Sequence, residues 1–487
     1  MNRRTFIHGV GGAALGLNDR LGFTETDRPV AALLKLLENS QRERIPRELV
    51  GMIRAGLRYE DLLAALSLAA VRNVQPYPDV GYKYHSVMVL RSIHLTTQHL
   101  SSADKWLPIV WAADYFKDAQ AQERATGDWR LPVSRVAQVS NPQVARRALA
   151  TALDNWDRDA ADAAVVKYAQ DASLDEIFSL LFPYGARDLR AIGHKAITVS
   201  NAHSLLALLG NAQAESVLRS TVSALLNSGA SPNPATHDLQ PDRPWRENQK
   251  QLHEIPRSWK QGRDDPGART ELHAALYRVS AEEAGTVVAE LLRRGISPEA
   301  IWQVLFATAA ELLVREPSIV PLHAQTTANA LHYAYRVCGN EQTQQLMLLQ
   351  CAAFIVMFRD MVGVTRSDLG LGALQPLPLE GTGVEAIGEI FSDLSAGHRF
   401  QAMRKSLGYL QNGGDADALI ANARHHLVYN ADEAHDYKFA EALFDNYLHV
   451  SDSRWRSRFL SAGMAYFKAP AERPSAVVAE TMELLQA

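Results

Sequence analysis

The sequence predicts an all-α protein formed by tandem duplication of one multi-helix unit, a helical-repeat chain with a pseudo-two-fold. Three observations lead there. Apolar residues recur at helical spacing through long windows, as in Leu49-Val50-Met52-Ile53-Leu57 and Val287-Val288-Leu291-Leu292-Ile296, while alternating strand-like runs are nearly absent. Alanine, leucine, glutamate, glutamine and arginine dominate these windows, and the prolines gather between them. Finally, the chain resembles itself. Residues 46–70, PRELVGMIRAGLRYEDLLAALSLAA, and 285–309, GTVVAELLRRGISPEAIWQVLFATA, both read as an amphipathic helix, a glycine, a short polar turn and a second apolar helix.

The landmarks of the two copies follow in one order. Gly56 and Gly295 are expected to end their helices in the left-handed conformation that glycine takes without steric cost. In the second copy Ser297-Pro298-Glu299 supplies a helix cap with proline at the first helical position. His85 and His323 come next, then His94 and His332, each nine residues further on. Apolar helices are expected to end at Phe116-Lys117-Asp118 and Phe358-Arg359-Asp360, before polar loops closing on Leu131-Pro132 and Leu377-Pro378. His194 then matches His435. Partner offsets run only from 238 (His85 to His323) to 246 (Leu131 to Leu377), a drift of loop size.

This divides the chain into a signal-like segment (1–27), a first helical half (28–227), a crossover (228–269) and a second helical half (270–487). Asn2-Arg3-Arg4-Thr5-Phe6-Ile7, followed by a glycine-rich apolar stretch from Val10 to Leu17, resembles a twin-arginine export signal. The resemblance implies export to the periplasm; a cytoplasmic protein with a chance Arg-Arg is the alternative. The crossover is rich in Pro, Asp, Asn and Arg but contains Trp245 and Trp259. It is expected to be ordered, packed on one face by its aromatics, or to act as a lid. The loop at 362–384 is the other candidate mobile segment.

Composition narrows the function classes. Among 487 residues, 47% are hydrophobic and 21% charged, a globular profile. A formal charge of −4 provides no basic field for nucleic acid. No run of about 18 apolar residues is evident, so no integral membrane segment is expected in the mature protein. Cys338 and Cys351 are the only cysteines, too few for a disulfide framework or a thiolate zinc site. Phosphate loops, dinucleotide fingerprints, nucleophile elbows and haem-attachment motifs are all missing.

Histidine placement carries the remaining signal. His85, His194, His323 and His435 each stand near the expected start of an apolar helix. A pseudo-two-fold would bring equivalent histidines to its axis in pairs. Imidazole is the commonest metal ligand near neutral pH, and helical bundles build metal sites from facing helices. Such a set would bind iron, copper, manganese or zinc, or serve haem. The alternatives are capping histidines bonded to backbone carbonyls, and histidines acting as acids and bases. Nine residues in a helix turn by about 900°, so His94 and His332 face away from the leading histidines and are expected to bond between helices. Tyr84 beside His85, Lys195 beside His194 and Lys438 after His435 are candidate acid–base residues. Asn201 and Asn329 are candidates to orient an imidazole.

The histidine-led stretches His194-Lys195-Ala196-Ile197 and His323-Ala324-Gln325-Thr326 resemble those of the questin oxidase-like family. The similarity covers these short segments only, and the family's clustered histidine run is not reproduced near His85. The resemblance implies a helical protein associated with oxidative cleavage of aromatic polyketides, and tilts the expected class toward oxidation. The leading expectation is therefore a metal- or haem-dependent oxidoreductase, an oxygenase being one form of it, acting on a small organic molecule. A cofactor-free lyase, isomerase or hydrolase using His with Tyr or Lys, and a non-catalytic helical scaffold binding a protein partner, stand beside it.

Overall fold

The computed structural model describes residues 28–76, 80–134, 141–210, 213–227, 232–363 and 370–487. The twin-arginine-like segment, residues 228–231 of the crossover and residues 364–369 of the second loop lie outside them. Among the described residues every regular element is a helix, and no strand occurs; an isolated bridge joins Arg263 to Ile296.

The helices that frame the site are α1 (Tyr59–Asn73), α2 (His85–Met88), α3 (Leu90–Thr97), α4 (Trp106–Ala125), α5 (His194–Leu209), α6 (Pro298–Arg315), α7 (Ile319–Val337), α8 (Glu341–Val362) and α9 (Ala434–Leu448). Gly56 and Gly295 take φ of +94° and +75°, as expected for glycines that stop a helix. Ser297 accepts from the backbone N–H of Ala300 at 3.2 Å and caps α6. α1 and α6 are apolar nearly all round because both are enclosed: Leu62, Leu63, Leu66 and Leu68 in one, Val304, Leu305, Phe306 and Leu313 in the other.

Four helices close a ring. α3 packs on α5, α5 on α7, α7 on α9, and α9 back on α3. The sequence-matched helices, α3 with α7 and α5 with α9, alternate around it. Asn329 on α7 ties the ring across its middle. It accepts from Arg91 Nη1 of α3 at 3.1 Å and donates to Asp445 and Asn446 of α9 at 2.8 and 2.9 Å. Asn201 on α5 donates to the Met88 carbonyl at 2.6 Å. Both asparagines brace helices, where the sequence suggested that they orient imidazoles.

Two expectations about helix lengths change. α4 does not stop at Asp118 but continues to Ala125, because Ala119–Ala125 is entirely helix-forming and the first left-handed glycine is Gly127, at φ +137°. α8 ends close to expectation, at Val362, where Gly363 has φ +71°. α8 is also long and apolar enough to cross a membrane by length and composition, although 78% of that window is buried within the fold. It packs against α6, α7 and the Ala281–Arg293 helix, as a core helix does. Cys338 and Cys351 are free and buried.

In the crossover, residues Arg243–Gln251 form a helix lying on the Ala281–Arg293 helix and α8. Trp245 and Trp259 are both buried, and the Trp259 indole donates to Glu341 at 2.8 Å, so each aromatic body is covered and one polar edge satisfied.

Candidate metal centre

Three helices of the ring, α5, α7 and α9, together with the short α2 bring the four leading histidines together. One ring nitrogen from each of His85, His194, His323 and His435 can be chosen so that all four lie within 4.8 Å of one another. Around the cluster, ring centroids are 4.9 Å apart for His85–His194, 4.6 Å for His194–His323, 5.1 Å for His323–His435 and 4.4 Å for His435–His85. Among the described residues no carboxylate or thiolate belongs to the group.

Local structure fixes each ring. His85 opens α2 after a tight turn in which Tyr82 takes φ +39°, a costly conformation for a tyrosine. That turn aims the Tyr82 carbonyl at His85 Nδ1, 2.8 Å away. His323 stands one turn into α7 and directs Nδ1 to the Ile319 carbonyl at 2.7 Å. A carbonyl accepts only, so these two rings carry the proton on Nδ1 and present a lone pair at Nε2. His435 Nδ1 lies 3.4 Å from a Glu433 carboxylate oxygen. The bonds are those that hold a metal-ligating imidazole in orientation. His194 opens α5 behind Gly193, and its Nε2 sits 2.9 Å from His323 Nε2. Gly81 lies against the cluster: a Cβ there would come within 3.1 Å of His194 Cε1 and 3.4 Å of His85 Cε1.

The electrostatics keep the imidazoles neutral. Burial, and then the Lys438 amine, pushes His85, His194 and His323 well below the usual histidine range. His435 is lowered by burial while Glu433 opposes the shift. Neutral rings are the form that ligates metal. His85 Nε2, His435 Nε2 and Lys438 Nζ are buried without a hydrogen-bond partner. Leaving a buried nitrogen without a partner is costly, and three such atoms belong to this one cluster.

The three candidate acid–base residues separate. Lys438, one turn beyond His435 on α9, depresses all four imidazoles, and its own pKa falls to about 7 through burial. Lys195 instead pairs with Asp188 at 3.3 Å, its ammonium over the Trp156 ring. The Tyr84 hydroxyl is engaged by Ser220 Oγ at 2.7 Å. His94 packs on Tyr59, and His332 on Trp302, Phe306 and His449. Nδ1 of each has no hydrogen-bond partner, so aromatic packing takes the place of the expected inter-helix bond there. Glu433, and the carbonyls of Tyr82 and Ile319, were not among the sequence candidates. Only Glu433, two residues before His435, leaves a sequence trace.

No family model, curated protein or solved structure matches this chain.

Proposed function

We propose that this protein is a metal-dependent oxidoreductase whose metal is held by His85, His194, His323 and His435. The observation that carries the reading is the convergence of four neutral imidazoles from four helices on one buried point. Ligand nitrogens about 2.1 Å from a common ion are at most about 4.2 Å apart. A cluster spanning 4.8 Å therefore closes on an ion with small ring movements. An all-imidazole set suits iron, copper or zinc, whereas manganese favours oxygen donors. Of these, iron and copper support oxidation of a small organic molecule, with dioxygen as the oxidant class. Haem fits poorly, since its iron already holds four nitrogens and keeps only two axial positions. The resemblance of the His194 and His323 stretches to the questin oxidase-like family points toward oxidation as well.

The cyclic order of helices, with matched helices alternating, supports descent of the two halves from one unit, each contributing two ligands. The unpartnered Lys438 amine favours a second reading, in which it serves as acid or base beside the imidazoles without metal. Metal analysis separates the two. Purified protein is expected to carry about one iron or copper per chain, and His194→Ala and His435→Ala to lose most of it while remaining folded. Absence of stoichiometric metal, or unchanged content in both variants, removes the metal reading.

A further inference from the structure

The charge balance of this centre is incomplete. A divalent ion on four neutral imidazoles retains its full double charge in a buried pocket, and the ligand cluster includes no carboxylate. Such a charge out of water is expensive unless it is paired. The surroundings add positive potential. α5, of sixteen residues, begins at His194, and α9, of fifteen, has His435 as its second residue, so both present N-terminal ends to the cluster. Each such end is equivalent to roughly half a positive charge. Lys438 Nζ, fully buried, points no hydrogen bond at any protein group. Glu433 is the one carboxylate bonded to a ligand ring, and it lies behind His435 on the Nδ1 side with its side chain 47% exposed.

We infer that the metal centre takes an exogenous anionic ligand, the anionic oxygen of an organic substrate, seated between the metal and the Lys438 amine. The inference rests on the metal reading above and names the substrate class of that same site. The anion supplies the charge that the ligand set lacks, and Lys438 supplies a donor that otherwise has no acceptor. Helix N-termini favour an anion for the same reason that they disfavour a bare cation. Side chains beside the cluster reach solvent. Tyr82 and Ile319, whose carbonyls hold two of the rings, expose their side chains at 69% and 40%, and His435 keeps 14% of its own exposed.

The test uses the full chain loaded with Cu(II), with metal content measured first, and azide and formate as probes. Failure to take up one copper per chain overturns the metal reading and this inference with it. With copper bound, azide is expected to produce a saturable charge-transfer band, and formate to displace it. Lys438→Met is expected to bind copper but weaken azide by tenfold or more, while Lys438→Arg, which keeps a cationic donor, stays within a few-fold of the wild type. A copper-loaded wild type that shows no response to azide overturns the anionic ligand while leaving the metal reading intact. Equal azide affinity in wild type and Lys438→Met overturns the seat beside Lys438.

Discussion

Gly193→Ala is expected to empty the metal centre without touching a ligand. Gly193 precedes His194 at φ +83°, directly after Ile192, which is itself left-handed at φ +44°. A Cβ at Gly193 would fall 1.9 Å from Thr327 Oγ1 and 2.9 Å from Thr327 Cβ. Thr327 is on α7, one turn past His323. The glycine therefore sets how closely α5 approaches α7, and so how His194 meets His323. The left-handed backbone costs alanine about 1–2 kcal/mol, and the forced separation of two packed helices about 1–3 kcal/mol more. A loss of roughly 2–5 kcal/mol in unfolding free energy should accompany reduced metal content. Gly56→Ala is the control: φ is +94° and nothing lies within 4 Å of the added Cβ, so it suffers the backbone cost alone and should keep its metal. Denaturant unfolding and metal analysis of the two variants decide the matter. If Gly193→Ala matches Gly56→Ala in both, the close approach does not position His194.

The same residues show what was legible in the sequence. The four clustered histidines stand out in the sequence because each leads an apolar helix and each has a counterpart in the other half. Helical geometry could also have ranked the lysines. Lys438 is three residues after His435 and so shares its helix face, whereas Lys195 is one residue after His194 and turns about 100° away, into the Asp188 ion pair. On the continuous helix α7 nine residues turn His332 away from His323. For His94 that turn does not apply, since the helix breaks at Val89 between His85 and His94, though His94 still lies apart from the cluster. The carbonyls that orient the rings left no trace, because one depends on a left-handed tyrosine at position 82, which no propensity favours. The contact of Gly193 with Thr327 joins residues far apart in the chain. Pairings of that kind come from the packing of α5 on α7, and no local pattern encodes them.

The metal-free protein is expected to lose stability steeply below about pH 6.5, and bound metal to offset the loss. His85, His194, His323 and His332 all titrate well below the ordinary histidine value of 6.5, chiefly through burial. Above pH 6.5 these groups are neutral in folded and unfolded chains alike and contribute no pH dependence. Below it the unfolded chain binds protons that the folded chain excludes, so unfolding gains ground as the pH falls. Asp436 acts in the opposite sense. Its pKa is raised to about 6 by burial, so the folded chain binds one proton there before the unfolded chain does. Burial lowers His94, His99, His203, His426, His435 and His449 as well, so unfolding takes up several protons net, each worth roughly 1.4 kcal/mol per pH unit at the steepest point. A marginally stable protein would not survive the second such unit. Chelator-treated protein unfolded in urea at pH 7.5, 6.5 and 5.5 measures the slope. Replacing His323 by Asn should reduce it by about one proton's worth, roughly 1.4 kcal/mol per pH unit. Metal binds only the neutral rings, and the folded chain keeps them neutral well below pH 6.5, so saturating metal should raise stability at all three pH values. A flat stability from pH 7.5 to 5.5 in the chelated protein would mean that these histidines take up protons inside the fold as readily as outside it, which buried neutral imidazoles cannot do.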